Sequence, residues 1–196
     1  MLIQPAFRNG LVCLVLLAWG GAMAQAQPAN YTLDNSHTSL IFGISHAGLS
    51  YTYGRFNTVS GKLTHDAENP ANTMFDFTVD VASIDTNDKK RDEHLRGPDF
   101  FNAVEFPTIA FTSSSVTVNG DDYQLKGNLT LHGVTKEVDV VLKKVGAGKG
   151  PAGDERIGFL SQFELKRSDY DMKNMIGPGM IGDEVSITFS FECVKQ

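Results

Sequence analysis

Apolar residues recur at every second position through most of this chain, and that period confines it to folds made of half-buried strands. Side chains alternate across a strand, so a period of two places one whole apolar set on one face. Phe75, Phe77, Val79 and Val81 alternate with Met74, Asp76, Thr78 and Asp80. Tyr123, Leu125, Gly127, Leu129 and Leu131 form a second stripe. Val134, Val138, Val140 and Leu142 form a third, interrupted at Lys136. Ile157, Phe159, Phe163 and Leu165 form a fourth, and Val185, Ile187, Phe189, Phe191 and Cys193 a fifth. Leu40, Phe42 and Ile44 share a face near the start, with His46 in the same register. Arg55 to His65 reads as a further strand with a weaker pattern. Ile109 and Phe111 fall on odd positions, but Val116 and Val118 on even ones. A single strand there requires a bulge among Ser113, Ser114 and Ser115.

The count is about eight strands. His132-Gly133 between two stripes reads as a tight hairpin. Asn87 to Arg96 is the one helical stretch, after the third strand, closed by Gly97-Pro98. Short joints make the strands antiparallel, in a barrel or a sandwich. A barrel removes exposed strand edges, and eight strands either fill with side chains or enclose one small ligand. The interior candidates are rich in phenylalanine, 13 in the chain and one fewer once Phe7 leaves with the first segment. Aromatic rings line apolar pockets and also fill cores, so the pattern leaves both open.

Residues 1–24 read as a segment outside the fold. Arg8 supplies a positive charge, Leu11 to Trp19 an unbroken apolar run, and GGAMAQA a small-residue exit. This order describes a secretory signal peptide cleaved after Ala24 or Ala26. The run is too short to span a bilayer, which needs about 20 residues. Residues 25–196 then form one exported domain, periplasmic in a Gram-negative cell. Without Arg8, the basic residues fall one short of the 17 in the whole chain, against 23 acidic, for a net charge near −7. That balance argues against nucleic acid and against anionic membrane surfaces as partners. Cys13 leaves with the signal, so Cys193 is alone and no intrachain disulfide forms; it reads as a buried bystander.

Residues with chemical potential do not assemble into a recognisable catalytic or metal pattern. The five histidines, His37, His46, His65, His94 and His132, lack the short paired spacing of zinc ligands. Asp34, Ser36 and His37 are close in sequence, but neighbours on a regular strand face opposite ways. No nucleophile elbow or phosphate-binding glycine loop is present. The reading is a non-enzyme with no metal and no cofactor. The helix places Lys89, Lys90, Arg91 and Arg96 beside Asp88, Asp92 and Glu93, a solvated face or a contact for a polar headgroup.

Four stretches resemble the YceI-like family. Tyr31 to Gly61 carries Asp34, His37, Phe42, His46, Gly54, Phe56 and Gly61 in the family's opening pattern. Val79 to Phe111 is similar to its most distinctive segment, with Ile84, Thr86, His94-Leu95, Asp99-Phe100-Phe101 and Phe106-Pro107. Gly127 to Lys136 (GNLTLHGVTK) resembles its G-x-L-T-x-x-G-x-T-K element, and Gly182 to Val194 its last strand. Thr38 departs from the usual Ser, and Asp171 from an expected Gly, so the loop after Tyr170 is expected to differ in shape.

The resemblance implies an all-β, eight-stranded antiparallel lipocalin-like barrel that binds a polyisoprenoid, an isoprenoid-quinone precursor or a similar long-chain lipid. The residues expected to line its interior are Phe42, Ile44, Phe75, Phe77, Val79, Val81, Ile109, Phe111, Leu129, Leu131, Phe159, Phe163, Ile187 and Phe189. The resemblance leaves a homodimer open. The rival reading is a filled barrel that acts in stress response or structure through partner contacts, without lipid.

Overall fold

A computed structural model describes residues 27–196. The expected signal segment, with both of its cleavage points, lies outside the described residues. Ten strands form one antiparallel sheet: β1 Ala29–His46, β2 Ser50–Phe56, β3 Val59–His65, β4 Met74–Asp80, β5 Ile84–Asp85, β6 Thr108–Asn119, β7 Asp122–Leu131, β8 Val134–Lys149, β9 Glu155–Lys166 and β10 Ile181–Lys195. One helix, α1 Lys89–Arg96, follows β5. Eight strands close the barrel in the order β1-β3-β4-β6-β7-β8-β9-β10, with β10 pairing back onto β1. The expected antiparallel barrel is therefore the fold.

The two additional strands arise from one long neighbour. β1 has 18 residues, and its first part pairs with β3 while its last part pairs with β2. β2 and β3 are thus one line of chain, broken at Asn57-Thr58. β4 breaks likewise: Asp80 caps a short turn at 81–83, and the two-residue β5 then pairs with β2. The wall is left open between β5 and β6, and α1 with the segment 97–107 covers it. Asp88 caps α1 by accepting from the Arg91 N–H at 3.0 Å, and the helix stops at Gly97.

The local signals act where the sequence places them. β6 shifts register between Ser113 and Ser115, and the Ser113 hydroxyl accepts the Phe75 N–H at 2.9 Å across the bulge. His132 and Gly133 both take positive φ, 51° and 75°, which is the type I′ hairpin geometry. Lys136, the polar break in its stripe, reaches over the rim to Asp169 at 3.1 Å and lies above the Tyr170 ring. Asp171 adopts φ 58°, the left-handed conformation a glycine would take, so the backbone form expected of Gly is kept with an Asp in place.

The core is unevenly distributed along the barrel axis. At the end where β1 begins, Leu63, Phe75, Tyr123, Ile157, Phe159, Phe191 and Cys193 are fully or almost fully buried. Their rings interlock edge to face: Phe75 and Phe159 lie 5.5 Å apart at 83°, and Tyr123 and Phe159 5.3 Å apart at 83°. That half is solid. The half where β1 ends is hollow.

Candidate functional site

The hollow half is a cavity of about 820 Å³. Ligand pockets run from roughly 300 to 1,000 Å³, so this one is large. Its floor is Phe77 and Phe189, 5.2 Å apart at 89°, with Phe191 packed beneath both. Its walls come from the inward faces of the strands, where alternation delivers one apolar side chain every second residue. Phe42 and Ile44 come from β1, Val79 from β4, Ile109 and Phe111 from β6, Leu129 and Leu131 from β7, Phe163 from β9 and Ile187 from β10.

Eleven of the fourteen expected interior residues line this space; Phe75, Phe159 and Val81 do not. Phe75 and Phe159 share the inward face of their strands but sit further along the axis, within the solid half. Val81 has left its strand. β4 ends at Asp80, and Val81 opens the turn 81–83 with its N–H bonded to the Pro107 carbonyl at 3.0 Å. The alternation that includes Val81 continues in sequence but not in space.

Several lining residues escaped the sequence reading. Phe100, Phe101, Met172 and Met175 reach the cavity from irregular segments, where periodicity gives no signal. Val138, Val140 and Leu142 belong to a recognised stripe but were not singled out for the site. Arg167 was legible only as one cation among many. It is buried, and donates to the carbonyls of Asn174 at 2.7 Å, Gly182 at 2.8 Å and Met172 at 3.0 Å. Burial lowers its pKa from the ordinary value, opposed by the nearby charge of Asp183. Arg167 thereby gathers the loop 172–182 against the mouth.

The polar groups of the cavity cluster at its mouth. Arg91 donates to the Thr86 hydroxyl and carbonyl, both at 2.7 Å, and Thr86 in turn donates from its hydroxyl and N–H to Asp92. Lys90, His94, His46, Ser50 and Thr52 complete the polar rim. His94 contacts Asp99 at 3.1 Å and meets the Phe100 ring edge to face. The arrangement is an apolar interior beneath a narrow polar collar, suited to a long apolar chain with a small polar end.

A second cluster lies at the opposite end, and it corrects one expectation. Asp34, Ser36 and His37 do converge, because β1 shifts register between Asp34 and Ser39 and breaks the alternation. Asp34 accepts from the Ser36 hydroxyl at 2.6 Å and contacts His37 Nδ1 at 2.8 Å. Ser36 meets that same ring nitrogen at 3.2 Å. A catalytic relay needs the carboxylate and the nucleophile on different ring nitrogens, and this cluster places them on one. Asp34, His37 and Glu192 also approach as metal ligands would, but the Arg156 guanidinium stands among them, 2.7 Å from Asp34 and 2.9 Å from Glu192. These contacts hold the Asp34 carboxyl far below the usual carboxylate range, chiefly through Ser36, then His37 and Arg156. The cluster ties β1, β9 and β10 together at the solid end.

Comparison with known proteins agrees with this architecture. The chain is 40% identical to a UPF0312 protein of Pseudomonas aeruginosa, over 93% of this chain and 97% of that one. The crystal structure of BcnA from Burkholderia cenocepacia superposes with a TM-score of 0.72 at 25% identity, covering 82% of this chain and 98% of that one. A polyisoprenoid binding domain from Saccharophagus degradans shares the fold, with a TM-score of 0.68 at 19% identity over 87% of this chain and 100% of that one. The family model of the YceI-like domain matches residues 31–193, the barrel from its first strand to its last, and this chain belongs to the YceI-like family.

Proposed function

We propose that this protein sequesters or carries one long-chain lipid of the polyisoprenoid class in the hollow half of its barrel, after export from the cytoplasm, and transforms nothing. The observation that supports this most is the division of the barrel itself. One half is packed solid with aromatic rings, while an equally apolar other half holds a cavity of about 820 Å³. Sequence alone would have allowed rings to fill both halves. An empty apolar cavity forfeits dispersion contacts along its lining, so a hollow of this size is costly unless it is occupied.

The driving force is burial. Each methylene withdrawn from water contributes roughly 0.8 kcal/mol, so two of them account for about a tenfold gain in affinity. Cavity length and width would select the chain. Lys90, Arg91 and the other collar groups would meet a polar end, with Lys and Arg suited to an anionic or strongly hydrogen-bonding one. The Saccharophagus domain, which shares the barrel and is described as binding polyisoprenoids, is consistent with this cargo.

The test is solvent extraction and mass spectrometry of lipids from protein purified from its own cells. A near-stoichiometric long-chain isoprenoid is the expected result. Folded protein that yields no lipid, and binds no added polyprenol, would overturn the proposal.

A further inference from the structure

The apolar surface of the cavity does not stop at the mouth. Met175 lines the cavity and is also 40% exposed, so the surface runs from interior to exterior without a polar break at that point. Two further apolar side chains flank it on the outside, Leu49 at 87% and Met180 at 43% exposure.

Local geometry fixes all three at this end of the barrel. The turn from His46 to Leu49 has φ 55° at Ala47 and 68° at Gly48, and the Leu49 N–H bonds the His46 carbonyl at 3.0 Å. His46 pairs with Ser50, so Ala47, Gly48 and Leu49 form a three-residue loop whose positive-φ turn holds Leu49 out beyond the last rung of the sheet. The Ala47 N–H donates to the Met180 carbonyl at 2.6 Å, and the Ile181 N–H to the Met175 carbonyl at 3.0 Å. The hairpin tip and the methionine loop are therefore one tied unit. On α1, Lys89 and Lys90 stand in the first turn, and Lys90 itself borders the mouth. Neither forms an ion pair among the described residues.

Single exposed apolar residues are ordinary, but a group of them around the opening of an apolar cavity is not. From this continuity, and resting on the lipid-carrier reading above, we infer that the rim formed by Leu49, Met175 and Met180 docks on a phospholipid bilayer. The three apolar side chains enter the boundary of the acyl region, and Lys89 and Lys90 lie level with the lipid phosphates. The mouth then opens onto hydrocarbon, and an apolar chain passes between bilayer and cavity without crossing water. The barrel needs no spanning helix for this, and none of the described helices is long and apolar enough to be one. The overall acidic balance of the chain limits the contact to this end and keeps it reversible.

The experiment uses lipid-free protein and vesicles of phosphatidylethanolamine with a minority of phosphatidylglycerol. The wild type is compared with the double variant Leu49→Asp/Met180→Asp and with Val145→Asp, which alters an apolar residue 70% exposed at the solid end. Flotation with vesicles reads docking, and release of a fluorescent polyprenol from labelled vesicles reads transfer. Binding of a short, dispersed prenol in the absence of vesicles reads the cavity and confirms folding. Wild type and Val145→Asp should float. The double variant should lose vesicle affinity by about tenfold or more, the scale of two buried apolar side chains, and keep its prenol affinity. Wild type that does not float, or a double variant that floats equally well, overturns the inference. So does self-association that the double variant abolishes without any vesicle binding, which would assign the rim to a second copy of the chain. Failure of every protein to bind prenol would instead remove the carrier reading, while flotation still decides the docking.

Discussion

Phe42 on β1 lies directly opposite Gly54 on β2, and its ring fills the space that a side chain at position 54 would occupy. The same device recurs around the barrel. Phe77 stands opposite Gly61, and the Phe111 ring covers Gly127. The Phe42 and Phe111 rings lie over their neighbours' backbone, whereas Phe77 leans on Gly61 and still reaches Phe189 and Phe191 at the cavity floor. A ring that leans on a glycine sits closer to the wall than it could beside a Cβ, so Gly54 and Gly127 leave more of the interior open.

Gly54→Val should therefore displace the Phe42 ring toward the axis, since the new Cβ would also meet the Thr86 methyl group. Overpacking of this kind costs roughly 1–3 kcal/mol. Phe42→Leu in the same chain should restore part of that loss. Urea midpoints of the two single variants and the double variant measure the coupling. Strictly additive losses would show that the pair does not share space.

The two halves of the barrel should respond differently to truncation of a ring. Phe159→Ala opens a void in the solid half and should cost about 3–5 kcal/mol. Phe163→Ala enlarges a space that is already open, and should cost distinctly less while weakening retention of an apolar ligand. Denaturant melts and ligand titration separate the two effects. Equal stability losses would mean that the hollow half closes in solution.

Cys193 should be inert in the folded protein. Burial pushes its thiol up to about 12, and it is fully enclosed between β1 and β9. At pH 8 such a thiol is ionised in only about one molecule in ten thousand. Labelling with a thiol reagent should be negligible in buffer and complete in urea. Rapid labelling of native protein would show that the solid half opens far more readily than its packing indicates.

The Asp34 cluster should make stability sensitive to acid. Its folded pKa lies below the unfolded value of about 3.9, so the unfolded chain takes up the proton first as pH falls. The stabilisation is present above about pH 4 and is lost as pH falls through the folded value. Asp34→Asn should lower the unfolding midpoint at pH 7, and the gap to wild type should narrow below about pH 4. A gap that stays constant across that range would show that the carboxylate charge is not what binds β1 to Arg156.

Much of the barrel was legible in the chain because strand faces follow from local geometry. Alternation is a property of successive Cβ atoms, so the stripes named the inward face of nearly every strand before any pairing was known. The bulge at Ser113 to Ser115 showed as a change of parity, and the hairpin at His132-Gly133 showed as turn chemistry. What alternation does not encode is position along the barrel axis. Phe75 and Phe77 are indistinguishable as members of one stripe, yet one is locked among rings and the other floors a cavity. The convergence of Asp34, Ser36 and His37 was hidden for the reverse reason, since a register shift in β1 suspends alternation there. Free volume is set by how eight strands close, how far they are staggered and which rings lean on glycine. Those are relations between residues distant in sequence, and only the assembled barrel decides them.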